Sequence, residues 1–145
     1  MTPSSVTIGL SMGSIVALLF FVANLYNLLN LFNLLFSPGK QWNFLKKMRN
    51  SWHYIHYFGN LGAFVALIIH AFFLGSFASF LHWIVLVFMG IMVVAGFTMR
   101  FLKTSPQIKQ KLFAFHAHWY MFLILLILII VAHLLSLPEF PYPLG

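Results

Sequence analysis

Four long apolar runs dominate the chain, at about residues 6–36, 52–77, 80–102 and 112–136, with short segments rich in lysine, arginine, proline, glycine and serine between them. Each run has at least the ~20 residues that a helix rising ~1.5 Å per residue needs to cross a hydrocarbon core. The pattern predicts an all-α fold, an integral membrane four-helix bundle forming a single transmembrane domain over residues 1–145. Thr2-Pro3-Ser4-Ser5 supplies a start signal for the first run, and Ser37-Pro38-Gly39 stops it. The first run has no basic segment ahead of it, so it reads as a permanent span and not as a cleaved signal. Proline closes the fourth run at Leu137-Pro138, and the tail over 139–145 is expected to be extended and outside the hydrocarbon.

Polar residues interrupt the runs at few positions. The first run carries Asn24, Asn27, Asn30 and Asn33. Successive members slip ~60° around a helix, so they do not share one narrow face, and interhelical hydrogen bonds are their expected use. The second run holds His56 and His70, fourteen apart, which returns the second side chain to within ~40° of the first and ~21 Å further along. The fourth run holds His118 and His133, fifteen apart, with a slip of ~60° in the opposite sense. His53 and His116 lie ~100° off these shared faces and are expected at the rim. His82, beside Trp83 at the start of the third run, is read as interfacial.

Composition agrees with the membrane reading. Of 145 residues, 62% are hydrophobic and 6% charged, whereas a soluble domain has about a quarter of its residues charged. The net charge of +7 is a matter of topology. All eight basic residues fall in two loops, Lys40, Lys46, Lys47 and Arg49 in one, Arg100, Lys103, Lys109 and Lys111 in the other. Such loops stay on the cytoplasmic side and meet anionic membrane lipids, so nucleic acid is not an expected partner. Both termini then face outward, in a prokaryotic inner membrane or its organelle equivalent.

Runs two and four are separated by one crossing and must point the same way. Their histidines therefore pair by depth, His56 with His118 near the inner face and His70 with His133 near the outer one. Without cysteine, histidine must carry any metal chemistry. The one acid is Glu139, so a bare divalent ion or a proton pathway lacks the countercharge it needs in a low-dielectric interior. A haem brings its own porphyrin dianion, and neutral imidazoles then suffice. Ligation on both faces leaves no open site on the iron, which points to outer-sphere electron transfer and not to oxygen chemistry. Gly13 and Gly96 stand at the depths of the outer and inner pairs; Gly13, four after Gly9, suits either ordinary close helix packing or clearance for a macrocycle, and Gly96 would relieve crowding at the inner one.

The histidine pairs at these spacings, on parallel helices one crossing apart, resemble the paired-histidine helices of membrane di-haem b-type cytochromes. That group includes the haem core of cytochrome b in quinol-oxidising complexes and of ferric-reductase-like domains. The resemblance implies two haem b groups with axial ligands His56, His118, His70 and His133, and quinone or other subunits of a membrane redox complex as partners. Arg49 and Arg100 are candidate partners for the inner propionates. The expected role is that of an electron-transfer subunit of an oxidoreductase complex, not of a catalyst alone. The competing expectation is a membrane anchor or assembly subunit holding one haem or none.

Overall fold

A computed structural model describes residues 2–136; the tail and its expected extended course lie outside the described residues. The fold is all-helical, in the order α1 (Pro3–Phe36), α2 (Asn43–Leu74), a single 3-10 turn (Gly75–Phe77), α3 (Phe80–Phe101), α4 (Pro106–His116) and α5 (Trp119–Ser136). Three helices, α1, α2 and α3, are long and apolar enough to cross a membrane, and the bent pair α4–α5 makes a fourth if it is one span. Large apolar side chains cover the outside: Phe72, Phe80 and Phe36 are 80%, 78% and 74% exposed. Such a surface is compatible with a lipid environment and costly in water.

The helix starts follow their caps. Thr2 Oγ1 accepts from the Ser5 N–H at 3.3 Å with Pro3 in the first turn, and Ser105 Oγ accepts from the Ile108 N–H at 3.4 Å with Pro106 in the first turn. Between α1 and α2 the chain turns through Gly39, whose φ of +81° favours glycine. Asn33 organises that turn from the end of α1. Its Nδ2 donates to the Lys40 carbonyl at 2.8 Å, and its Oδ1 accepts from the Trp42 N–H at 2.7 Å.

Two boundaries differ from the sequence expectation. Helix α2 begins at Asn43 and not near residue 52, so Lys46, Lys47 and Arg49 sit on its first turns and the loop shrinks to six residues, 37–42. Lysine and arginine are good helix formers, and nothing between Asn43 and Trp52 breaks a helix. The expected continuous helix over 112–136 is two helices, bent by 49°. The Ala117 N–H closes α4 on the Phe113 carbonyl at 2.8 Å, and the Met121 N–H opens α5 on the His118 carbonyl at 3.0 Å. The break falls between the two histidines of His116-Ala117-His118.

Neighbouring helices run antiparallel. α1 lies along α2 from Gly9 beside Leu74 to Ala23 beside Gly59, where a Cβ on Gly59 would stand 2.7 Å from the Ala23 Cβ. Gly90 of α3 packs on Phe64 of α2, and Gly96 on His116 of α4. α2 and α5 hardly approach each other. A buried apolar cluster, Phe20, Ala63, Val85, Met89, Leu125 and Ala132, joins four of the helices and reaches from one end of the interior to the other. The Phe20 and Phe122 rings face each other there at 6.0 Å. Residues of the cluster line two cavities, one toward each end.

Candidate functional site

The larger cavity, about 730 Å³, lies at the end that carries the basic segments. His56, on α2, and His116, at the end of α4, meet there with ring centres 6.0 Å apart and planes at 79°. His118, the expected partner of His56, also lines this cavity, but the ring that faces His56 is that of His116. The bend between α4 and α5 turns His116 inward and leaves His118 exposed, with its ring 4.8 Å from that of Tyr120 and nearly parallel to it. An unbroken helix would have put His116 ~100° away from the face of His133. Two separate helices remove that constraint.

Local contacts hold both rings. The His56 Nδ1 lies 3.2 Å from the Ala23 carbonyl and 3.2 Å from the Asn60 amide nitrogen. The Asn60 Oδ1 accepts from Asn24 Nδ2 at 2.9 Å, and Asn27 Nδ2 donates to Asn24 Oδ1 at 3.3 Å. Interhelical bonding is thus what Asn24 does; Asn30 is exposed on the cavity wall. When His56 carries its proton on Nδ1, the carbonyl accepts it and Nε2 keeps a free lone pair. The His116 Nδ1 is buried without a hydrogen bond of good geometry, beside the Met92 carbonyl. Its ring rests on Gly96, where a Cβ would come within 3.2 Å.

The smaller cavity, about 350 Å³, lies at the opposite end. His70 of α2 and His133 of α5 meet across it with ring centres 6.4 Å apart and planes within 20° of parallel. This is the pairing expected from the spacing. The His70 Nδ1–H donates to the Gly9 carbonyl and the His133 Nδ1–H to the Ile129 carbonyl, both at 2.8 Å. A carbonyl only accepts, so each ring keeps its Nε2 lone pair free. His82 of α3 joins this end, its ring centre 5.1 Å from that of His133.

Gly13 and Gly96 lie at the two levels expected of them, but the space they leave is taken by imidazole. A Cβ on Gly13 would stand 2.8 Å from His70 Cε1. The same device serves both ends: a carbonyl faces the ring, and the residue one turn later, Gly13 after Gly9 or Gly96 after Met92, is a glycine on which the ring lies. Of the two arginines, Arg100 lines the larger cavity and Arg49 does not. His53 is an exposed part of that wall.

Two imidazoles bound on opposite sides of one metal ion, through nitrogens about 2 Å from it, place their ring centres roughly 6 Å apart. Both pairs have that separation. Among the described residues no group of three or more histidine or acidic side chains is gathered closely enough to hold a bare ion. The larger cavity has the volume of a cofactor site, and the smaller lies near the lower end of that range, so it encloses a ligand less completely. Spacing alone missed His116 and Asn60; an asparagine one turn after His56 was the available signal for the second. No protein-family description, no curated protein and no solved structure matches this chain.

Proposed function

We propose that this chain is a membrane di-haem b-type cytochrome, a four-span electron-transfer subunit of a larger redox complex, in which His56 with His116 and His70 with His133 hold the two haems. One observation carries the reading: two imidazole pairs with centres 6.0 and 6.4 Å apart sit at opposite ends of the same gap between α2 and the α4–α5 segment. An anchor subunit would need neither the gap nor the matched separations. It would close α2 directly on α5 with side chains.

Haem held by the pairs His56 with His116 and His70 with His133 would supply a reversible one-electron change. The chain's own residues do the rest. The Gly9 and Ile129 carbonyls hold the His70 and His133 rings in the tautomer that offers Nε2, the Ala23 carbonyl can do the same for His56, and hydrogen bonding of this kind also raises ligand basicity. Phe20, Met89 and Leu125, part of the buried core cluster, give the larger cavity an apolar wall. Arg100, on the wall of the larger cavity, is placed to meet an anionic edge. Quinone and further redox subunits are the proposed exchange partners, at opposite faces of the membrane.

Two measurements test this. A pyridine haemochrome assay with a reduced-minus-oxidised spectrum on the purified chain should give about two b-type haems per chain. A preparation exposed to haem that holds none would end the cytochrome reading in favour of an anchor. Because every lysine and arginine lies at one end, reporter fusions after Gly145 should behave as external. Cytoplasmic behaviour would reverse the orientation and exchange the inner and outer sites.

A further inference from the structure

His82 lines the second cavity beside His70 and His133. Its Nδ1 lies 3.2 Å from the Ser79 backbone nitrogen and 3.0 Å from the Ser79 hydroxyl, in a capping box at the start of α3. A backbone N–H can only donate. Nδ1 is therefore the lone-pair nitrogen, and the proton of the neutral ring sits on Nε2. His70 and His133 are set the other way round, with Nδ1–H bound to carbonyls and Nε2 free. The three histidines thus bring two nitrogen lone pairs and one N–H donor to the cavity they share.

That difference separates ligand from donor. An imidazole with its proton on Nε2 and its Nδ1 committed to a helix cap is not set up to bind iron. With the lone pairs of His70 and His133 taken by a metal, neither ring can accept from the half-buried His82 N–H, which is left to an acceptor from elsewhere at this end. Charge points to the kind of acceptor. Haem carries two carboxylates, and all eight lysines and arginines belong to the other end of the molecule. Among the described residues, His82 is the ionisable side chain of this end that the ligand pair leaves over.

We infer that His82 is a binding residue of the second site, donating its Nε2–H to a carboxylate of the cofactor held by His70 and His133. The inference rests on the proposed function and adds a contact to it. It assigns the residue a contact with the cofactor's edge and none with the iron.

The test compares natural haem with haem whose two carboxylates are esterified, in the full-length purified chain. Release of the haem that His70→Ala removes is followed by transfer to an excess of a haem-scavenging globin. In the native chain esterification should speed that release roughly tenfold, the scale of a hydrogen bond to a charged group. In His82→Leu natural haem should already leave at the faster rate and esterification should add nothing. His82→Gln, which keeps a donor, should restore part of the difference. A residue that only capped α3 would behave otherwise, because its loss would speed both haems alike and leave the effect of esterification intact. That outcome, or no effect of esterification in the native chain, would overturn the inference while leaving the two-haem reading standing. Failure of the native chain to bind any haem would remove both.

Discussion

Replacing His116 by alanine is expected to remove the same haem that His56→Ala removes, and His118→Ala is expected to keep both. The ring of His116 faces that of His56 at 6.0 Å, whereas His118 is exposed and lies against Tyr120. Loss of one of two axial imidazoles from a b-type site should lower the content from about two haems per chain to about one, with matching spectral losses in the two variants. His70→Ala and His133→Ala should form a second matching pair with a different spectrum. Retention of both haems in His116→Ala, with loss in His118→Ala, would mean that the bend between α4 and α5 does not select the ligand. The ligand set would then revert to the one that periodicity suggests.

The second large effect is expected from a single methyl group. A Cβ at position 13 would lie 2.8 Å from His70 Cε1 and 2.9 Å from its Nδ1, closer than carbon atoms pack. The ring cannot retreat without giving up its 2.8 Å bond to the Gly9 carbonyl, on the same helix one turn earlier. Gly13→Ala should therefore displace His70 and empty or weaken the second site while the His56–His116 haem stays. Gly96→Ala should act on the other haem and more mildly, since its Cβ would reach only 3.2 Å from His116 Cε1. Gly62→Ala is the control, with Leu19 Cδ1 at an ordinary 3.4 Å. Equal haem loss in all three variants would show a general packing defect. No loss in Gly13→Ala would show that the ring can move off position 13 and still hold its ligand.

Much of this arrangement was legible in the chain because apolar runs and helical periodicity are strong signals. The spacing of His56 and His70 put imidazoles at two levels of α2, and the depth of His133 matched it to His70. Glycine positions 13 and 96 could be placed at the right levels, though the group they accommodate could not be named without coordinates. The bend at Ala117 was illegible for a plain reason. No proline or glycine stands near it, so the period runs through unbroken and selects His118 over His116. The first turns of α2 were hidden because a cluster of lysines and arginines between apolar runs reads as loop, although those residues favour helix. His82 needed the Ser79 contact to fix its tautomer; the serine three positions before it was the available hint.

The lengths of the helices carry a further consequence for the bilayer itself. α1, with 34 residues, rises ~51 Å, while α3, with 22, rises ~33 Å. α3 thus matches a hydrocarbon core of about 30 Å, and α1, even with a tilt of about 20°, exceeds it by some 18 Å. The overhang includes Phe32, Leu34, Leu35 and Phe36, all exposed, so a thin membrane leaves apolar surface among the headgroups and a thick one covers more of it. Hydrophobic mismatch is therefore built unequally into the two halves of the bundle. Bilayer thickness, varied through acyl-chain length, becomes a variable that acts on the α1–α2 hairpin before it acts on the helices that face it.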